Sequence, residues 1–233
     1  MFGRVPLLRE RDAQRHAAVL EQHGVHVQLQ GHPTLPTGTI VLFVDGEQRT
    51  MFTQRGANVA LDCDAVSLEG AALLHLTGYT LFGALDDGAS YSRLIARAGV
   101  PVSVTPGSAG FIADYGVSRF LSVVKGATLL FPNLAEGRLL TGLDDPAEVV
   151  AALAAEFPVV ALTLGSEGVL VASDGEVSRV AATVSTVLDP TGAGDAFAAA
   201  FLLEWVDSGD AVLGAERGAV AAASAVRVMG GRP

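Results

Sequence analysis

Asp189-Pro-Thr-Gly-Ala-Gly-Asp-Ala-Phe197 stands between a β-rich run, Thr183-Val-Ser-Thr-Val-Leu188, and an apolar stretch of helical character. The spacing predicts a strand-to-helix junction with Gly192-Ala193-Gly194 at the turn. The first N–H groups of a helix lack intrahelical acceptors and lie at the positive end of its dipole. Glycines let such a backbone approach an anion with no Cβ in the way, so the junction reads as an anion site. Asp195 falls in the first helical turn, facing the same place. A carboxylate beside a turn that only binds phosphate would repel its ligand. It makes chemical sense as a base that takes the proton from a hydroxyl attacking phosphorus. From the residues alone a plainer reading stays open: Asp195 complements the helix terminus and the glycines turn the chain. Phe197 replaces the third glycine of G-x-G-x-x-G and no G-K-[ST] occurs, so neither the dinucleotide fingerprint nor the P-loop is present.

Upstream of this stretch, from about residue 65, short apolar runs alternate with helical patterns. Strands are expected over 72–77, 101–104, 128–131 and 159–164, with helices over 89–98, 118–124 and 146–156 and a hairpin turning at Asp174-Gly175. Downstream, helices are expected over 193–208 and 211–229. This rhythm implies a mostly parallel sheet covered on both faces. The first 60 residues read differently. A helix over 11–22 ends at Gly24, and β-rich runs over 25–29, 37–44 and 48–53 follow, the last two joined by the hairpin signal Asp45-Gly46.

Composition bounds the rest. The 233 residues correspond to one α/β domain with a small elaboration. Half are hydrophobic and 17% charged, which rules out general disorder. A net charge of −10 argues against a nucleic-acid partner but leaves small phosphorylated ligands open. Cys63 is the only cysteine, so neither an internal disulfide nor a cysteine-based zinc site is available, and a cytoplasmic setting is the default. No apolar run reaches the length of a membrane span or a signal peptide. The five histidines show no metal-ligand spacing, and Gly165-Ser166-Glu167-Gly168 is not the G-x-S-x-G elbow.

The segment Asp189–Phe197 resembles the C-terminal signature of the ribokinase-like (PfkB) carbohydrate kinases. Further matches follow in the family's order. Pro132-Asn-Leu-Ala-Glu136 is similar to its N-x-x-E motif, and Thr163-Leu-Gly-Ser-Glu-Gly168 to the strand and turn bordering the nucleotide. Gly230-Gly-Arg-Pro233 resembles the family's ending after an Ala-rich helix. Pro36-Thr-Gly38 with the early β-runs resembles the lid, and Arg55-Gly-Ala-Asn58 the segment after it.

The resemblance implies a three-layer α/β/α ribokinase-like fold, one kinase domain over 1–233, with a small β lid at about 25–58. It implies ATP-dependent phosphorylation of a hydroxyl of a sugar or sugar-like substrate. Asp195 would be the base, and Gly192, Ala193 and Gly194 the anion hole. Thr163, Gly165, Gly168, Thr191 and Ala222 would border the nucleotide. Asn133 and Glu136 would place Mg²⁺ indirectly, while Arg55 and Asn58 would meet the sugar. Asn133 and Glu136 also have the spacing of a capping box, and the two roles can coexist. A monovalent cation and a homodimer through the lid are open by resemblance.

Two departures stand out. The family's opening strand with a sugar-binding Asp, and its Gly-Gly segment with an Asn, are not visible, so the N-terminal strands are expected to be missing. That loss would leave part of the central sheet unpaired. Ala219 stands where many relatives carry Asn near the adenine. Two alternatives therefore stay open: a non-catalytic nucleotide-binding or assembly remnant of such a kinase, and a nucleoside kinase of the same fold.

Overall fold

The computed structural model describes residues 2–6, 10–45 and 48–230. Gly46 of the expected hairpin turn, and residues 231–233 of the Gly-Gly-Arg-Pro ending, lie outside them. The chain divides into two compact units. One comprises Met1–Ser67 and Thr80–Leu94, the other Leu68–Tyr79 and Ile95–Pro233.

In the first unit, β1 (Phe2–Pro6) precedes α1 (Glu10–Gln22), which Gly24 ends at a φ of 77°. β2 (Gln28–His32) pairs in parallel with β1, a pairing with no local signal in the chain. β3 (Thr39–Asp45) and β4 (Gln48–Gln54) form the expected antiparallel hairpin, with Phe43 and Phe52 edge to face at 5.6 Å. Ala57, Cys63, Tyr91 and Leu94 are buried.

The second unit holds the main sheet. Its strands are β5 (Leu74–Thr77), β6 (Val102–Thr105), β7 (Leu129–Leu130), β8 (Val159–Thr163), β9 (Val169–Ser173) and β10 (Glu176–Val180). They lie in the order β10-β9-β8-β7-β6-β5. β5 to β8 are parallel, and β9 and β10 are added antiparallel through the turn at Asp174-Gly175. This is the mostly parallel sheet that alternating apolar strands and helices imply. Of the helices, α2 (Gly78–Leu81) and α3 (Ala89–Ala96) straddle the two spans. α4 (Ala109–Tyr115), α5 (Val117–Val123), α6 (Leu134–Thr141) and α7 (Pro146–Ala154) come next. α8 (Ala193–Ser208) and α9 (Ala211–Ala225) close the chain. Local chemistry sets their ends: Asp145 caps α7 with Pro146 in its first turn, Gly142 ends α6 left-handed, and Asp210 caps α9.

Side chains alternate across each strand. Leu162 faces α6 and α7, where a Cβ on Gly137 would meet it at 2.8 Å. Leu129, Val159 and Ala161 face the other way, onto Phe197 and Phe201 of α8 and Ala215 of α9. Helices thus cover both faces, and α8 begins beside the C-terminal ends of the parallel strands, where open α/β sheets bind ligands.

Candidate active site

Thr183–Leu188 is not a strand. Leu188 and Asp189 both donate their N–H to Val226 O, at 2.8 and 3.2 Å, and Ser185 Oγ donates to Ala223 O at 2.8 Å. The run's hydrogen bonding is thus committed to the end of α9 instead of a neighbouring strand. Its β-branched residues are not a buried face, since Val184 and Val187 are exposed. The glycine turn is therefore a loop-to-helix junction.

Asp189 fixes that loop. It is buried, and its Oδ1 accepts from Thr191 N–H at 2.9 Å and Thr191 Oγ–H at 2.6 Å. Its Oδ2 accepts from Gly230 N–H at 2.9 Å, tying the turn to the chain beyond α9. Gly192 takes the left-handed conformation, φ 81°, at the N-cap of α8. Ala193 N–H meets Pro190 O at 3.3 Å. Among the described residues, the N–H groups of Gly194 and Asp195 have no acceptor. They are the open donors at this helix end, with the exposed Asp195 carboxylate beside them.

A cavity of about 470 Å³ opens there, within the size range of small-molecule sites. Of the residues expected to border a nucleotide, Thr163, Gly165, Gly168 and Ala222 line it, as do Ala193, Gly194 and Ala219. Thr191 does not line it; its hydroxyl is committed to Asp189. Gly168 is required by its backbone: φ is 95°, and Val180 O occupies the space a Cβ would take.

Asn133 and Glu136 form a reciprocal capping box at the start of α6. Asn133 Oδ1 accepts from Glu136 N–H at 2.9 Å, and Glu136 Oε2 accepts from Asn133 N–H at 3.0 Å. Asn133 also bridges to Thr163, one of the residues lining the cavity. Glu136 is 2% exposed. Burial pushes its carboxyl up to about 7, against the opposing pull of hydrogen bonds from Asn133 and from the Gly107 N–H.

Arg55 and Asn58 belong to the first unit. Arg55 lies over the Phe82 ring at 5.8 Å from its centroid. Ala57 N–H donates to Pro36 O at 2.7 Å, so the two segments singled out there, 36–38 and 55–58, meet. A Cβ on Gly38 would strike Asn58 Nδ2 at 2.7 Å and Arg55 O at 2.8 Å.

Several groups at the strand ends have no sequence motif. Gly107 supplies an N–H to Glu136, and its carbonyl accepts from Tyr79 Oη at 2.6 Å. His75 and Ser103 are hydrogen-bonded across β5 and β6. Asp189 left a trace: Asp-Pro-Thr places a carboxylate two residues before an N–H, the spacing of an Asx turn.

The family model of the pfkB family carbohydrate kinases matches residues 11–233. An uncharacterized sugar kinase of Archaeoglobus fulgidus is 28% identical over 219 residues, covering 92% of this chain and 86% of that protein. The solved adenosine kinase of Sinorhizobium meliloti superposes with a TM-score of 0.88 at 27% identity, covering all of this chain and 73% of that one. A Vibrio cholerae fructokinase double mutant, solved with fructose, ADP and potassium ion bound, superposes with a TM-score of 0.85 at 25% identity over 99% of this chain and 79% of its own. With this fold and a family match running almost from end to end, the chain belongs to the pfkB family of carbohydrate kinases and is a phosphotransferase of ribokinase-like fold.

Proposed function

We propose that this protein transfers the terminal phosphoryl group of ATP to a hydroxyl of a sugar or nucleoside. One observation carries the reading: an exposed carboxylate, Asp195, stands in the same helical turn as the open N–H groups of Gly194 and Asp195, and Gly194 lines a cavity of about 470 Å³. Asp195 takes the proton from the acceptor hydroxyl as its oxygen closes on phosphorus. The open N–H groups, with Gly192 shaping the turn, stabilise charge on the equatorial phosphoryl oxygens. They are set by the fold before the reaction begins, so no reorganisation is needed when charge develops. The apolar walls built from Ala193, Ala219 and Ala222 take the base.

A divalent cation would arrive with the nucleotide and keep most of its own water shell. Among the described residues there is no group of three or more His, Cys, Asp or Glu able to hold a metal by itself. Such an ion would be held mainly by nucleotide phosphates; Asn133 and Glu136, closed into their capping box with Glu136 2% exposed, would act on it only by fixing the start of α6. Mg²⁺, when bound, neutralises phosphate charge. Likeness to the adenosine kinase and to the fructokinase supports nucleosides and sugars as acceptors in the same reading.

The test is Asp195→Asn. It keeps size and hydrogen bonding but removes the base. ADP release driven by acceptor should fall by about 10²- to 10⁴-fold. ATP affinity, measured by calorimetry, should change by less than a few fold. Near-normal turnover in this variant would refute the assignment.

A further inference from the structure

We propose that His75 and Thr105 form the hydroxyl-reading floor of the acceptor site, with His75 accepting a hydrogen bond from a substrate hydroxyl through Nε2. This rests on the kinase reading above and names residues that select its acceptor.

The register places them. His75 pairs with Ser103, Ser103 with Leu129, and Leu129 with Val159. Cα partners on neighbouring strands send their side chains to the same face. Leu129 and Val159 pack with Phe197 and Phe201 of α8, so His75 and Ser103 lie on the face that α8 covers. Thr105, two residues on from Ser103, lies on that face at the C-terminal end of β6. Asp195 occupies the first turn of α8, beside those strand ends. Its carboxylate reaches the imidazole electrostatically.

Hydrogen bonding then sets the imidazole's polarity. Ser103 is fully buried, and its Oγ donates to Leu74 O at 3.4 Å. We assign the Ser103 proton to that bond, so that Oγ accepts from His75 Nδ1–H at 2.8 Å. The ring is thereby held as the Nδ1–H tautomer, with a lone pair on Nε2. Among the described residues, Nε2 has no partner, and His75 is exposed on β5, the outer strand of the sheet. A second, independent observation points the same way. Thr105 Oγ1 is buried and meets no hydrogen-bond partner among the described residues. Buried polar atoms are nearly always satisfied, so this hydroxyl calls for a partner that the described residues do not supply. An Nε2 acceptor beside a hydroxyl that can donate or accept suits adjacent hydroxyls of a polyol ring. It does not suit an anionic group, which would meet a lone pair at Nε2.

The experiment has two arms. Long-range ¹H–¹⁵N spectra of the labelled full chain, with His75 assigned from His75→Gln, should show a protonated Nδ1 and a bare Nε2 in the free protein. ADP release at saturating MgATP is then followed with D-ribose, D-fructose and adenosine. For each acceptor turned over, His75→Leu should raise its KM about fivefold to tenfold, the effect of one lost hydrogen bond. The KM for ATP should stay within about twofold, as only the acceptor contact is lost. His75→Gln, which keeps a side-chain acceptor, should recover most of the loss, and the Nε2 resonance should move on adding that acceptor. If His75→Leu does not fold, Thr105→Val, which removes only the hydroxyl, should raise the same KM. A protonated Nε2, or acceptor KM values unchanged in both variants, overturns the proposal. Absence of turnover by the wild type with all three compounds overturns the sugar-or-nucleoside acceptor reading instead. In that case a bare Nε2 that none of the three shifts sinks the His75 assignment separately.

Discussion

Replacing Glu136 by Gln should change how stability depends on pH in a direction fixed by burial. Glu136 is 2% exposed, and its carboxyl is raised from an ordinary 4.5 to about 7 in the folded protein. A raised carboxyl favours the protonated native state. Its contribution is therefore complete below the unfolded value near 4.5 and is lost as pH rises through about 7. A tenfold change in proton affinity is worth ~1.4 kcal/mol, so the whole interval amounts to about 3 kcal/mol. The protein's isoelectric point is near 4.8, so measurement should start above it. Between pH 5.5 and 8 the loss assigned to this group is about 2 kcal/mol. Urea unfolding followed by circular dichroism at both pH values, for wild type and Glu136→Gln, isolates the contribution of this carboxyl. Gln keeps an acceptor for the Asn133 and Gly107 N–H groups but has no proton to lose. The other titrating groups are common to both chains and cancel. Wild type should lose about 2 kcal/mol more than the variant over this range. Equal losses would show that Glu136 is already ionised in the native state at pH 5.5, and the burial argument would fail.

Two more perturbations test the frame around the site. Asp189→Ala removes the acceptor of three hydrogen bonds that tie the glycine turn to Thr191 and Gly230. It should lower stability by about 2–4 kcal/mol and weaken ATP binding in the same preparation. Unaltered ATP affinity measured by calorimetry would mean that the loop holds its shape without the clamp. Gly218→Ala would put a Cβ 2.6 Å from Phe197 Cδ2 and 2.9 Å from Phe197 O where α8 and α9 cross. Rotating the ring relieves only one of these contacts, so the variant should lose about 1–3 kcal/mol, read as a fall in Tm. A melting curve identical to wild type would refute the close approach of the two helices.

Helix and strand positions in the second unit were legible because their signals are local. Asp145-Pro146 announces the start of α7 and Asp174-Gly175 a hairpin, through caps and turns that act within a few residues. The glycine turn was legible for the same reason, since open N–H groups at a helix start and a carboxylate in its first turn are neighbours in sequence. The run Thr183–Leu188 misled because β-branched composition describes what a segment could pair with, not what lies beside it. Val226 and Ala223, some 38 residues away, took its hydrogen bonds.

The amino-acid sequence by itself determined most of the alternation of strands and helices in the second unit, the glycine turn at the start of α8 and the reciprocal capping of Asn133 with Glu136, all of which depend on groups fewer than ten residues apart. Only the tertiary structure decided the parallel pairing of β1 with β2, the clamp from Asp189 to Gly230, the burial that raises Glu136, the His75–Ser103 pair and a Thr105 hydroxyl with no partner among the described residues. Each of these needs residues brought together across tens of positions. Burial, unlike a cap or a turn, is a property of what packs around a group and has no local signature in the chain.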